Sequence, residues 1–563
     1  MNAPSSAPPD TETNFTPAAP AVREWFGVLV LLALLFGLDL LTYNISPTVW
    51  CDDISFTEPA INFVLRGSYT SAVWPFQPLN TFPAVNCPLY TQSIAGWLAL
   101  FGTDLFAVRS YNYFLMTVSC LLFWLLLHRL KLLPSARWRL AFVTVFHLGY
   151  GISFAYRCSR PDTLGLCLTL VLGLLFAARP APARNFWLLA VSVVLPWVSL
   201  TGGLYAGLAC FCAVLVLGRS RFFEAVVVWA GLAVGVLSLV WFLVSQNALQ
   251  NFIAGANSAV GDHYFLASKA SILTRIGWLS AITLPEYFKE YSSTILWMGS
   301  LVLLVLCRRE LKANANWRVI IGSALLLVAT PLVFNLTGHY AFYYSYTIFT
   351  PALILFAAAA FPASRPELRP QTAGILPTMV IFTTIVATAL VGLPLRTAIN
   401  LALTKIVPRA EIQRHVAMVV TTNDVVFTDD TAFFEVKPLA KVVYNRWSFI
   451  DFICTPFPGR HMTQADKDSL NKIVVRADQS NFFIKFFGGQ WRAVTEPFGD
   501  ITRWDLIERL PLVQKKVKTY LEQPQTFRYR LQVFERVSPA ASGSSREASQ
   551  ARSTQNQSKP SGS

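Results

Sequence analysis

The residues best suited to chemistry lie directly after the first apolar segment of the chain. Asp52 and Asp53 follow Trp50 and Cys51, so two adjacent carboxylates stand within a few residues of a hydrophobic run. A carboxylate near lipid is costly and usually marks a function where it occurs. If the chain is an enzyme, we expect its chemistry here, with either acid as a general base that removes a proton from a hydroxyl group.

A second set of candidates lies in one short loop, where two arginines and an acid occur within six residues. Arg157 and Arg160 carry planar, permanently charged guanidinium groups, which are suited to holding a leaving phosphate. Contact with lipid phosphates at the membrane interface explains the two arginines equally well. Asp162 is either a third acid of the site or the cap of the helix that begins after it.

Three further residues are weaker candidates for substrate or metal contacts. Glu58 follows the acidic pair by more than one helical turn and either binds a divalent metal with it or faces solvent. His263 lies in the long loop 245–292 and His339 in the turn 337–340, and a lone histidine is more often a surface or packing residue. The sequence requires no certain cofactor and leaves a divalent metal ion open.

The cysteines give little sign of a metal site. Nine cysteines occur without a CxxC pair, which argues against a zinc site. Cys51 and Cys87 both fall in the first predicted outside loop, where an oxidising compartment would allow them to pair. The sequence alone leaves that pairing open.

Composition places the chain in a membrane. Hydrophobic residues make up 54% of the 563 residues and charged residues 14%, and the mean hydropathy is +0.46. The formal charge of +15 comes from short basic clusters between apolar runs, which is where membrane topology places them. We therefore expect a multi-pass protein of the plasma (inner) membrane that contacts membrane lipids and binds no nucleic acid.

The basic clusters also decide how the chain crosses the membrane. If the segment Pro88–Phe101 were a span, the basic cluster at 129–139 would lie outside, against the positive-inside rule. An interfacial helix at Pro88–Phe101 in the first outside loop places that cluster inside instead. This choice predicts about eleven spans, one of them at Leu140–Tyr156, with the N-terminus in the cytoplasm and the acidic pair outside.

Four regions follow from this pattern. We predict a disordered cytoplasmic tail (1–22), a transmembrane module (23–397), an extracytoplasmic α/β domain (398–537) and a disordered C-terminal tail (538–563). Within the α/β domain, alternating patterns predict strands at 424–429 and 441–444, and helical spacing predicts a helix at 465–475.

Several short motifs in a fixed order resemble those of a known family. They are Asp52-Asp53 through Ala60, Cys87-Pro88-Leu89-Tyr90, Leu100-Phe101-Gly102, Ala107-Val108-Arg109 and Arg160-Pro161-Asp162. Together they resemble the N-terminal half of GT-C membrane glycosyltransferases, in particular the protein O-mannosyltransferase and aminoarabinose-transferase branch. The chain departs from that pattern at Asp53, where the family usually has Glu, and at Cys87, which stands in place of a Pro.

The resemblance implies a mainly α fold, a polytopic helix bundle of GT-C type with interfacial helices in the first outside loop. It implies a polyprenyl-phosphate sugar as donor, a lipid, glycan or protein as acceptor, and Asp52 as the catalytic base. On this view Asp53 and Asp162 are supporting acids, and Arg157 and Arg160 bind the donor phosphate. Two alternatives remain: a transporter or flippase of a lipid-linked saccharide, and a non-catalytic scaffold for which Asp52 is dispensable.

Overall fold

The computed structural model describes residues 20–537 apart from several gaps. The gaps are 46–48, 50, 75–76, 80, 84–87, 134, 218–220, 254–290, 307–316, 338–341, 361–374, 404–405, 453–458 and 503–527. His263, His339 and Cys87 lie outside the described residues, as do almost all of the predicted tails at 1–22 and 538–563.

Helices form the larger, N-terminal part of the chain. In order they are α1 (Val22–Leu41), α2 (Cys51–Arg66), α3 (Pro88–Phe101), α4 (Leu105–Arg129), α5 (Ala136–Leu148), α6 (Tyr150–Arg157), α7 (Asp162–Ala177), α8 (Pro182–Val198), α9 (Leu200–Leu217), α10 (Phe222–Ser245), α11 (Tyr291–Leu306), α12 (Trp317–Thr337), α13 (Phe342–Ala360), α14 (Ile375–Val391) and α15 (Leu393–Leu403).

Many of these helices are apolar. Among the described residues, α1, α4, α10 and the segment Ile375–Ala398 are each long and apolar enough to cross a membrane, and α6 with α7 would add a fifth span if the bent pair counts as one. Shorter apolar helices lie within α8, α9, α11, α12 and α13. The mainly helical membrane architecture is confirmed at this level, and the count of about eleven spans stays a prediction.

Charged pairs hold helices together at both ends of α1. Near its start, Glu24 accepts hydrogen bonds of 2.7 and 2.8 Å from Arg139 of α5. Near its end, Asp39 accepts one of 2.7 Å from Arg157, the last residue of α6. Apolar side chains, Val28 and others, fill the length between. The residues predicted to do chemistry lie near the C-terminal end of α1.

The structure corrects the predicted continuous helix at Leu140–Tyr156. α5 ends at Leu148 and α6 begins at Tyr150, because Gly149 has an extended backbone (φ −59°, ψ 134°). A Cβ at Gly149 would lie 2.9 Å from the carbonyl oxygen of Val145, so this break favours glycine. The chain bends again, by 118°, between α6 and α7. Arg160 lies in the turn at this second break.

The C-terminal part of the described chain contains a mixed sheet with short helices. Its elements are α16 (Arg409–Ala417), β1 (Val425–Thr428), α17 (Phe433–Val436), β2 (Val442–Tyr444), α18 (Gln464–Ser469), β3 (Lys472–Arg476), α19 (Ser480–Phe487), β4 (Trp491–Ala493), β5 (Phe498–Thr502) and β6 (Arg528–Arg536). β1 runs parallel to β2 and β3, and β6 runs antiparallel to β3, β4 and β5. We call residues 409–537 the sheet region.

Strands are present where the sequence predicts them at 424–429 and 441–444. The predicted helix at 465–475 is wrong in its second half, because α18 ends at Ser469 and β3 begins at Lys472. Four of the five β3 residues are buried, and a short apolar run of this kind cannot be told from a buried helix by periodicity. The domain boundaries and the side of the membrane stay predictions.

The sheet region packs directly against α2 and the residues that follow it. Arg66, the last residue of α2, donates a hydrogen bond to the carbonyl oxygen of Ala440. Arg460 Nη2 donates to the carbonyl oxygen of Ala72 at 3.4 Å. Ala72 belongs to the same hydrophobic cluster as Phe427 of β1. Helix α2 therefore lies between the helical bundle and the sheet region.

Candidate active site around helix α2

Helix α2 carries three acids, and each of them meets a different neighbour. Residues one apart on a helix differ by about 100° in direction, so Asp52 and Asp53 cannot lie on one face. Glu58, five residues after Asp53, differs from it by about 140°. Asp52 accordingly meets the turn before α7, Asp53 meets α4, and Glu58 meets the sheet region.

Asp52 contacts the guanidinium group of Arg160. Arg160 Nη1 donates to Asp52 Oδ2, and Arg160 Nε donates to Asp162 Oδ2 at 2.7 Å. The ring of Phe56, one turn after Asp52, lies against the same guanidinium, with 5.5 Å between Cζ and the ring centroid. Arg160 therefore brings together three of the residues that the sequence predicts for the site, Asp52, Asp162 and itself.

The carboxyl group of Asp52 is the most accessible of these acids. Its side chain is 18% exposed, whereas that of Asp162 is 5% exposed and that of Asp53 is fully buried. Burial raises the pKa of Asp52, and the positive charge of Arg160 opposes that rise. A carboxylate that keeps access to solvent and has a raised pKa is suited to accept a proton.

Asp53 forms a different kind of contact. It receives two hydrogen bonds from Arg109 of α4, at 3.2 Å from Nε and 2.7 Å from Nη2, and both side chains are fully buried. Arg109 Nη1 also donates to the carbonyl oxygen of Tyr43 at 2.6 Å. This paired, two-point geometry fixes α2 against α4 and the end of α1. Asp53 thus follows the accessible acid in the chain, and both of its carboxylate oxygens accept hydrogen bonds from Arg109.

Glu58 is completely buried and accepts hydrogen bonds from several donors. Lys437 Nζ lies 2.6 Å away, the Ser71 hydroxyl 2.7 Å and the Ala72 amide 3.0 Å. Lys437 is itself buried, and burial lowers its pKa while Glu58 opposes that change. Glu58 therefore joins α2 to the sheet region, on a different face of the helix from Asp52.

The turn that carries Arg160 is held by contacts from α3 and α4. Tyr90 donates to the carbonyl oxygen of Ser159 at 2.6 Å, and Asn112 donates to that of Arg160 at 2.9 Å. Ser159 has a positive φ of 48°, an unfavourable conformation for a residue with a Cβ. The surrounding hydrogen bonds keep the backbone in this conformation and so fix the direction of Arg160.

Arg157 lies close to Arg160 in sequence but contacts other groups. Its Nη1 donates to Asp39 at 2.7 Å, and its Nη2 donates to the carbonyl oxygen and hydroxyl of Thr42 at 2.8 and 2.9 Å. Arg157 is 1% exposed, and the ring of Tyr113 lies 5.2 Å from its Cζ. Its guanidinium is thus bonded to the end of α1, and its role in phosphate binding stays a prediction.

Sequence reasoning missed several residues that position the site. Arg109 is part of a motif in the resemblance, but its pairing with Asp53 was not predicted. Asp39 could have been recognised from the sequence, because an acid inside an apolar helix normally pairs with another polar or charged group. Nothing in the sequence indicates the contact of Lys437 with Glu58, since the two residues are 379 positions apart.

The structure offers no donor set for a divalent metal among the residues it describes. No group of three or more His, Cys, Asp or Glu side chains there is arranged to hold one. Asp52, Asp53 and Glu58 are each bonded to a cationic side chain. The Cys51 thiol is free and lies 3.8 Å from Asp52 Oδ1. The predicted contacts of His263 and His339 fall outside the described residues.

Comparison with solved structures identifies the fold. The crystal structure of ArnT from Cupriavidus metallidurans bound to undecaprenyl phosphate matches 91% of this chain and 98% of that chain, with a TM-score of 0.50 and 12% identity. The chain has the fold of the GT-C glycosyltransferases. The cryo-EM structure of the arabinofuranosyltransferase AftD from Mycobacteria matches 92% of this chain and 40% of that chain, with a TM-score of 0.50 and 13% identity. The resemblance predicted from the sequence is thus confirmed at the level of the fold.

Sequence comparisons give no match. No protein-family model matches the chain, and no curated protein matches it by sequence. The GT-C fold therefore rests on structural similarity, and the activity has to be argued from the site.

Proposed function

We propose that the protein is a membrane glycosyltransferase that moves a sugar from a polyprenyl-phosphate-linked donor to an acceptor hydroxyl. The acceptor is a lipid, a glycan or a protein, and transfer takes place on the extracytoplasmic face. The observation that carries the proposal is the accessible carboxylate of Asp52, held by Arg160 at the end of the bundle where α1 finishes. This arrangement occurs in a chain with the GT-C fold.

The chemistry assigned to Asp52 is general base catalysis. The bond between the anomeric carbon of the sugar and the phosphate oxygen breaks, and the polyprenyl phosphate leaves with the electron pair. A new bond forms between the anomeric carbon and the acceptor oxygen. The proton of the acceptor hydroxyl passes to Asp52, whose pKa is raised by burial.

Arg160 has two roles in this proposal. It orients Asp52 through the direct contact. As the candidate cation that contacts the base, it also stabilises the negative charge that develops on the leaving phosphate. Asp162 holds the guanidinium from its other side at 2.7 Å. The pair of Asp53 and Arg109 fixes α2 to α4, so the base keeps its position while the donor phosphate leaves.

The proposed donor follows from the site and from one structural relative. A site at the end of a helical bundle is accessible to a donor held in the membrane by its lipid chain. The ArnT structure with the same fold contains undecaprenyl phosphate. A polyprenyl-phosphate sugar is therefore the donor class that we propose for this chain.

The test uses purified protein in lipid nanodiscs with a panel of radiolabelled polyprenyl-phosphate sugars and a membrane extract as the source of acceptors. We expect a labelled acceptor product from at least one donor, and loss of that product in Asp52→Asn. The same protein in sealed vesicles reports movement of the lipid-linked sugar between leaflets. Movement without transfer from any donor would overturn the transferase in favour of a flippase.

A further inference from the structure

A polar cluster inside the bundle takes no part in the chemistry proposed above. It is centred on Asp39, which is fully buried and lies two residues before the end of α1. Its Oδ1 accepts hydrogen bonds from Arg157 Nη1 at 2.7 Å and from the Tyr156 hydroxyl at 3.1 Å. Its Oδ2 lies 2.9 Å from His147 Nε2. One carboxylate thus binds α1 to both α5 and α6.

A buried carboxylate at this position requires an explanation. Burying a charge is strongly unfavourable unless the charge is paired and hydrogen-bonded. Asp39 meets that condition through Arg157, which also donates twice to Thr42 at the end of α1. The cluster therefore fixes the last residue of α6 to the end of α1 from two directions.

The last residue of α6 is also the first anchor of the turn that carries Arg160. Only two residues separate Arg157 from Arg160, and one of them is Ser159 with its positive φ. Tyr90 and Asn112 hold the middle and the end of this turn through the carbonyl oxygens of Ser159 and Arg160. The beginning of the turn is held at Arg157 by Asp39 and Thr42.

We infer that Asp39 is a positioning residue for the transfer reaction. It fixes Arg157, and Arg157 fixes the start of the turn that directs Arg160 toward Asp52. The inference rests on the proposed function and assigns Arg157 an anchoring role in place of direct phosphate binding. Asp39 itself touches neither donor nor acceptor.

The test compares Asp39→Asn with the double variant Asp39→Asn/Arg157→Gln. The single variant removes the carboxylate that pairs with the buried charge of Arg157 and has the greater risk of misfolding. The double variant removes both charges and therefore leaves neither one buried without the other. Because a displacement of about 1 Å can reduce a rate by about a hundredfold, we expect kcat per folded molecule to fall about a hundredfold in the double variant, with the donor KM changed less than about threefold.

A second readout does not depend on transfer. Cys158 follows Arg157 directly and is fully buried, so release of the turn should expose its thiol to a membrane-impermeant maleimide. Peptide mass spectrometry distinguishes Cys158 from the other cysteines. The matched control is Glu224→Gln, which breaks a comparably buried pair with Arg184 at 2.7 Å in α8 and α10. It should leave both kcat and the protection of Cys158 unchanged.

The outcomes separate this inference from the proposed function. If kcat of the double variant falls about a hundredfold and its Cys158 is labelled, the anchoring role of Asp39 is supported. A double variant that transfers within about threefold of wild type, or one that is slow while Cys158 stays protected, overturns it. If wild type transfers no sugar, the proposed function fails, and the labelling of Cys158 still decides whether Asp39 anchors the turn.

Discussion

The contact between Glu58 and Lys437 allows a quantitative test of how the sheet region supports α2. Lys437→Met removes the cation from a completely buried carboxylate at 2.6 Å. Breaking a buried ion pair by removing one partner typically costs about 3–5 kcal/mol. Glu58 keeps neutral donors from Ser71 at 2.7 Å and from the Ala72 amide at 3.0 Å. We therefore expect Lys437→Met to weaken the docking of α2 against the sheet region by about 3 kcal/mol, the lower end of that range.

A loss of this size changes the balance between docked and undocked α2 by roughly a hundredfold, since about 1.4 kcal/mol corresponds to a factor of ten. Hydrogen exchange of the amides of Cys51–Arg66 in nanodiscs measures the change directly. We expect faster exchange in Lys437→Met than in wild type. The double variant Lys437→Met/Glu58→Gln removes both charges and should recover most of the protection.

The matched control is Lys441→Met, which removes an exposed lysine four residues further along the same region. It should leave the exchange of α2 unchanged, because exposed charges contribute little to stability. Equal exchange of α2 in Lys437→Met and Lys441→Met would refute the reasoning, because it would mean that the buried pair does not hold α2 against the sheet region.

Two further predictions concern the acids of the site. Asp53→Asn removes the carboxylate that pairs with the buried Arg109 and should lower the free energy of unfolding by about 3–5 kcal/mol; Asp52→Asn should leave the folded fraction as in wild type, and an equal loss of stability in both variants would contradict the separate roles. Arg160→Gln removes the cation that opposes the raised pKa of Asp52; because Asp52 acts as the carboxylate, the acid limb of the pH profile of kcat/KM should move to higher pH, and an unmoved limb would show that Asp52 is not the group that titrates.

The sequence could single out Asp52, Arg160 and Asp162, which the structure brings into contact, because they lie in short, ordered motifs. The acidic pair and the Arg160-Pro161-Asp162 loop each follow or precede an apolar segment, so the charges near the lipid stand out. The bounds of the helix at Pro88–Phe101 also follow from its apolar composition. The motifs do not show which neighbour each side chain contacts. Adjacent acids on α2 point in different directions, and the packing of the helix decides which neighbour each one meets.

The sequence was less informative where contacts join distant segments. Lys437 and Glu58 are separated by 379 residues, and nothing in their neighbourhoods relates them. The division of Leu140–Tyr156 at Gly149 was missed because one glycine within an apolar run is compatible with a continuous helix. The helix predicted at 465–475 failed for a related reason, since the buried strand at Lys472–Arg476 has an apolar pattern that a helix can share.

Asp39 shows how structure changes the interpretation of a charge. In the sequence, Arg157 and Arg160 are equivalent candidates for phosphate binding. In the structure, Arg157 is bonded to Asp39 and Thr42, whereas Arg160 contacts the accessible Asp52. We therefore propose different roles for the two arginines, with Arg157 anchoring the turn and Arg160 acting in the site itself.

The most direct test of the central claim is single-turnover sugar transfer by Asp52→Asn with saturating polyprenyl-phosphate sugar. The substitution keeps the shape of the side chain and removes its ability to accept a proton. We expect the rate of transfer to fall by about a hundredfold or more, the typical contribution of general base catalysis, while donor binding and the folded fraction stay as in wild type. Transfer at the wild-type rate would contradict the assignment of Asp52 as the base.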